Sequence, residues 1–182
     1  MQPMKYLANW LDQNANTERY LFTFQGLRAL FPELSNATFK TLLSRTACSR
    51  YLDRLCRGLY ICKRAAPPNR LVLFHAVALL RADEFNYISL ETTLSEEGVI
   101  SQIPTNWISI MSSGRSNVVS CGIFGTIEFI HTCQKPVRIR EQLYYDEKCR
   151  LWRATIPLAL RDMRATHRNC DLIDWDRTNK LI

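Results

Sequence analysis

The sequence predicts an α+β chain, helical with one small hairpin in its first third and mixed α/β beyond it. Three observations carry this. Apolar residues recur at three- and four-residue spacing through residues 4–47, and period-two alternation takes over from Trp107. The pair Pro67-Pro68 separates the two regions. Charge divides at the same place: residues 1–80 hold 11 Lys/Arg against 4 Asp/Glu, whereas residues 81–182 hold 13 of each. The whole net charge of +7 is therefore N-terminal, and 10 of those 11 cations lie between Arg19 and Arg70. Such asymmetry is expected of a polyanion-binding module joined to a neutral one.

The 182 residues are long enough for one domain or two small ones. The 8 Phe, 7 Tyr and 4 Trp spread along them exclude disorder as the main state. Leu71 to Leu80 is the longest apolar stretch, about half the ~20 residues a bilayer needs, so no membrane span is expected. The start, MQPMKYLANWLDQ, lacks the basic-then-apolar order of a signal peptide, which places the chain in the cytoplasm. Seven cysteines without a C-x-x-C pair then read as reduced, mostly buried thiols. The three histidines stand far apart, and His131-x-Cys133 is the one close pair, so no metal site and no cofactor is expected.

In the first region, residues 4–13 read as a helix with Pro3 at its start and Leu7, Trp10 and Leu11 facing inward. Tyr20-Leu21-Phe22 is a short strand. Thr23 caps a second helix over residues 24–31, with Phe24, Leu27, Leu30 and Phe31 inward and Pro32 as its stop. Ser35 caps a third helix over residues 36–47, whose inward stripe is Phe39, Leu42, Leu43 and Thr46. Two short helices joined by a tight turn make a helix-turn-helix unit. Residues 51–56 and 59–62 then form a hairpin around Arg57-Gly58. Helix, strand, helix, turn, helix and hairpin is the order of a winged-helix DNA-binding domain, which we place at residues 1–64, with a linker at 65–70.

A recognition helix must offer short donors and cations to base edges in the major groove. Asn36, Thr38, Lys40, Thr41, Ser44 and Arg45 are of that type, and the free amides behind Ser35 suit a phosphate. Around the wing, Arg50, Arg54, Arg57, Lys63 and Arg64 suit a clamp on the DNA backbone. The plainer account of any of these residues is a solvated surface.

The second region, residues 71–182, opens with an apolar helix over residues 71–82 and a second over 89–97, stopped by Gly98. Strands follow at residues 107–111, 118–121, 126–131, 143–145 and 149–155, and Pro157 opens a last helix to about residue 167. Arg161, Arg164 and Arg168 near its end suit either the helix dipole or a second DNA contact. Asp146-x-Lys148 has the spacing that ends a nuclease signature, although a hairpin turn explains Asp-Glu-Lys equally well. No Gly-rich phosphate loop and no Gly-x-Ser-x-Gly occurs, so no catalytic set is expected.

Two blocks carry a family resemblance. The first is Phe22-Thr23-Phe24-Gln25-Gly26-Leu27-Arg28-Ala29-Leu30-Phe31-Pro32-Glu33-Leu34 with Arg57-Gly58-Leu59-Tyr60. The second, more specific, is Phe85-Asn86-Tyr87-Ile88-Ser89-Leu90-Glu91, Leu94-Ser95-Glu96-Glu97-Gly98-Val99-Ile100 and Gly125-Thr126-Ile127-Glu128-Phe129. On these the chain resembles the AbiEi family, the antitoxins of type IV toxin–antitoxin systems used in phage defence. The chain departs from the family's pattern at Ile156-Pro157, where a Pro-Glu pair is expected.

The resemblance implies a transcriptional autorepressor that binds inverted repeats upstream of its own operon, with a dimer on the DNA. It implies that residues 71–182 form an antitoxin domain counteracting a nucleotidyltransferase toxin without a stable complex. The alternatives are a winged-helix-guided nuclease centred on Asp146 and Lys148, and a plain winged-helix regulator without antitoxin activity.

Overall fold

The computed structural model describes residues 2–49, 51–67, 69–100, 106–171, 173 and 175. Helices and sheets are both present, so the chain is α+β. It forms two compact units, Met1–Val72 and Leu73–Ile182, divided within a helix that begins at Asn69 rather than inside residues 65–70.

The first unit runs α1 (Pro3–Asn14), β1 (Leu21–Thr23), α2 (Phe24–Arg28), α3 (Asn36–Cys48), β2 (Asp53–Cys56) and β3 (Leu59–Ile61). The three strands form an antiparallel sheet in the order β1-β3-β2, pairing Leu21 with Ile61 and Arg54 with Tyr60. Gly58 turns the hairpin at φ +80°, a conformation glycine adopts without strain, and its carbonyl accepts from Phe24 N at 2.8 Å. Aromatic edges fill the core, with Trp10 on Phe22 at 5.6 Å, Phe24 on Phe39 at 5.3 Å and Tyr6 on Phe31 at 5.5 Å.

The second helix stops at Arg28, three residues short of the expected end. Leu30 N and Phe31 N bond back only three residues, to Leu27 and Arg28, which tightens the chain ahead of Pro32. The Arg28 guanidinium also donates to the carbonyls of Phe31 and Leu34 and holds this turn together.

The helix at the division is α4 (Asn69–Leu80), and the second unit continues with β4 (Asn86–Ile88), α5 (Leu90–Glu96), β5 (Trp107–Ser112), β6 (Asn117–Ser120), β7 (Thr126–His131), α6 (Pro136–Ile139), β8 (Leu143–Asp146), β9 (Leu151–Ala154) and α7 (Ile156–Ala165). Its six-stranded mixed sheet has the order β6-β7-β5-β4-β9-β8, with β5/β7 and β4/β9 parallel. Leu90 and Leu94 of α5 and Leu158, Ala159 and Met163 of α7 bury against Tyr87 and Met111 of the sheet.

β4 lies at the centre of this sheet, between two expected helices where the sequence marked no strand. All its residues are buried, so no alternation marks it. The α5 helix ends as expected at Gly98: Val99 N reaches the Leu94 carbonyl at 2.7 Å and Gly98 N the Ser95 carbonyl at 3.0 Å, with Gly98 at φ +71°. The α7 helix ends with the same bonds, Arg168 N to Met163 O and His167 N to Arg164 O, but with His167 in the left-handed position. No helix among the described residues is long and apolar enough to cross a membrane.

Candidate nucleic-acid interface

Helix α3 is built to show one polar face. The Ser35 hydroxyl accepts from Thr38 N at 3.1 Å and so starts the helix where the sequence places it. Phe39, Leu42, Leu43 and Thr46 are buried, and Asn36, Thr38, Lys40, Thr41, Ser44 and Arg45 are all exposed. The core stripe thus forces the candidate residues outward.

These residues differ in what already engages them. Lys40 and Arg45 make no ion pair among the described residues, nor does Arg57 in the β2–β3 turn. Asn36 accepts from Arg28 Nε at 3.2 Å, the Thr41 hydroxyl donates to Ala37 O at 3.1 Å, and the Ser35 and Thr38 hydroxyls lie 2.9 Å apart. The cations around the β2–β3 hairpin are more committed. Arg54 donates to Cys56 O at 3.3 Å, Lys63 pairs with Asp53 at 2.6 Å, and Arg64 pairs with Asp12 and covers Tyr51. Arg64 is exposed, and its bond to Asp12 raises its pKa. Exposed pairs of this kind contribute at most about 1 kcal/mol, so a phosphate can displace them. Arg50 lies outside the described residues.

An open groove of about 700 Å³ runs beside this face. Ala37, Thr38, Thr41 and Arg45 form one wall, and Gln2, Pro3 and Met4 at the start of α1 form the other. The pairing of α1 with α3 brings these residues together, and nothing in the spacing of the first residues signals it.

Two other sequence candidates have structural partners. Arg168 reaches Glu91 at 3.0 Å and Glu128 at 2.5 Å, so it is an internal tie between elements rather than the end of a polar helix face. Arg161 and Arg164 remain exposed, with Arg164 over the Trp175 ring at 5.9 Å. Asp146 is held by Arg153, whose Nη2 lies at 2.7 Å and Nε at 3.1 Å, and by Cys149 N at 3.0 Å. Burial pushes the Asp146 carboxyl up, but the Cys149 N–H and Arg153 outweigh it and hold it below the ordinary range. Arg153 is itself buried and also pairs with Glu96 at 2.5 Å.

Among the cysteines, Cys56, Cys62, Cys121 and Cys149 are buried, while Cys48 and Cys133 are exposed. Burial pushes the Cys149 thiol up to about 12, which suits a packing residue. No group of three His, Cys, Asp or Glu able to hold a metal ion occurs among the described residues. In comparisons with known proteins, no family model matches the chain and no curated protein matches it either.

Proposed function

We propose that this protein is a sequence-specific DNA-binding repressor and antitoxin, acting in the cytoplasm without catalysis. The single observation that carries the DNA reading is the exposed face of α3, where Lys40 and Arg45, without an ion pair among the described residues, stand beside Thr41 and Ser44, opposite a fully buried stripe. The order α1-β1-α2-α3-β2-β3 with sheet order β1-β3-β2 supports a winged helix, with Arg57-Gly58 as the tip of the wing. In this reading α3 enters the major groove and the wing cations lie along the phosphates. Inverted repeats require a two-fold pair of recognition helices, so the protein binds its operator as a dimer.

The antitoxin half of the reading rests on the resemblance in residues 85–100 and 125–129, and the partner is a nucleotidyltransferase toxin encoded beside it. Two experiments test the whole. A mobility-shift assay on DNA upstream of its gene is expected to show a specific complex that survives excess unrelated DNA. Co-expression with the neighbouring toxin gene is expected to restore growth. Binding without rescue would leave a plain winged-helix regulator, and failure of both assays would sink the reading altogether.

The nuclease alternative loses ground on one contact, since the Asp146 carboxylate accepts from Arg153 where a metal ion would have to sit. Removing Asp146 also disturbs a buried ion pair, so the informative variant is Lys148→Ala, whose side chain is exposed. Metal-dependent plasmid cutting that this variant abolishes would establish the enzyme instead.

A further inference from the structure

Only two of the seven thiols are exposed, and they stand in different surroundings. Cys48 lies at the end of α3, and its thiol makes no hydrogen bond to another side chain among the described residues. Cys133 follows β7 with its Sγ 3.4 Å from Nε2 of His131. On the other side of the same ring, His131 Nδ1 lies 2.9 Å from the carbonyl oxygen of Gly114. A carbonyl oxygen can only accept, so Nδ1 carries the proton and Nε2 presents its lone pair to the thiol.

Nucleophile, base and orienting group thus stand in sequence, which is the arrangement that activates a cysteine. The orienting group is well held. Arg81 donates to Ser112 Oγ, to the Arg115 carbonyl and to Asn117 Oδ1, which braces the turn carrying Gly114. The Ser116 hydroxyl accepts from His131 N at 2.8 Å and fixes the strand end.

No third ligand converges on the pair among the described residues, so its chemistry is that of a thiol and a base rather than a metal site. The surroundings also select a co-reactant. From Phe129 through Glu141 the chain carries Lys135, Arg138 and Arg140 against Glu141 alone, all of them exposed, while Glu128 just before this run is already paired with Arg168. That field favours an anionic partner.

We propose that Cys133 is a redox modification site, which His131 activates for exchange with anionic low-molecular-weight disulfides of the glutathione type. His131 Nε2 takes the thiol proton, and the Cys133 sulfur attacks one sulfur of the incoming disulfide. The S–S bond of that disulfide breaks, one half remains on Cys133 as a mixed disulfide, and the other leaves as a thiolate. The imidazolium returns its proton to the leaving thiolate, so one thiol is consumed and one released.

The test treats the full-length protein with oxidised glutathione and follows each cysteine by peptide mass spectrometry. Cys133 is expected to form the mixed disulfide about tenfold faster than Cys48. His131→Gln is expected to bring Cys133 down to about the Cys48 rate. Raising salt from about 50 to about 500 mM should slow oxidised glutathione more than the neutral hydroxyethyl disulfide. Equal rates at Cys133 and Cys48 in the unmodified sequence would overturn the proposal without any variant. So would a folded His131→Gln protein, checked by circular dichroism, that reacts at Cys133 as fast as the parent.

Discussion

Arg168 lies 2.5 Å from Glu128 and, through its other guanidinium nitrogen, 3.0 Å from Glu91. One residue therefore ties the chain just beyond α7 to the start of α5 and the middle of β7. Glu128 also accepts through Oε2 from Trp107 Nε1 at 3.2 Å and from Ser109 Oγ at 3.4 Å. Burial alone would lower the Arg168 pKa, yet Glu128 and Glu91 outweigh it and raise it. These side chains are 20–25% exposed, enough burial for the bonds to matter. Arg168→Ala is expected to cost about 2–3 kcal/mol, seen as a lower urea midpoint at an unchanged slope. Arg168→Lys should recover less than half of that, because a point charge cannot fork between two carboxylates. An Arg168→Ala protein of full stability that loses DNA binding would show that the arginine serves DNA instead.

Gly125 faces a harder constraint. It sits at φ +119°, and a Cβ there would meet the Asn106 carbonyl oxygen at 2.0 Å. The close approach is used, since the same carbonyl accepts from Thr126 N at 2.8 Å at the start of the β5–β7 pairing. Gly125→Ala must therefore break a backbone contact as well as strain a dihedral, at a cost on the order of 3–5 kcal/mol. Gly122 is the control, with φ +59° and open space where a Cβ would go. Gly122→Ala should cost only about 1–2 kcal/mol. Thermal melts of the two variants side by side check the contrast, and similar losses would contradict it.

Asp162 makes stability depend on pH. It is 1% exposed and accepts from Ser89 Oγ at 2.7 Å and Tyr87 OH at 3.1 Å. Burial pushes its carboxyl above the ordinary 3.8, more than the two hydroxyls and Arg161 pull it down. The native state thus holds this proton more tightly than the unfolded chain does. Its contribution is complete below 3.8 and is lost as pH rises through the native value. Asp146, held below the ordinary range, acts in the opposite sense: its contribution is complete above 3.8 and is lost as pH falls through the native value. Asp162→Asn should therefore gain stability relative to the parent as pH rises from about 4 to about 7. Urea titrations across that range measure it, and a difference that stays constant with pH would rule the account out.

What could be read in the sequence was whatever local chemistry decides. Ser35 and the stripe Phe39, Leu42, Leu43 and Thr46 locate α3 to within a residue, and Gly98 marks the end of α5. β4 was illegible because burial on both faces erases alternation, and α6 is only Pro136–Ile139, too short to show a period. Arg168 illustrates the limit for side chains. Its sequence neighbours suggest a helix dipole, whereas its partners Glu91 and Glu128 lie far back along the chain. The candidate face shows the same division. Its outward residues follow from the inward stripe, but nothing local distinguishes Lys40 and Arg45, which have no ion pair among the described residues, from Lys63 and Arg64, whose partners come from other elements.

That last distinction supplies the most direct test of the central claim. Fluorescence-anisotropy binding should be measured for the parent, Lys40→Ala/Arg45→Ala and Lys63→Ala/Arg64→Ala, each on DNA from upstream of the gene and on a scrambled duplex, across a salt series. If α3 reads bases, the first variant loses about 1–3 kcal/mol per base contact on the cognate DNA and little on the scrambled one. The second loses affinity about equally on both, with a shallower salt dependence, and its loss is the smaller because both cations are already paired. A Lys40→Ala/Arg45→Ala protein that still prefers the cognate DNA by the parent's ratio would contradict the assignment of α3.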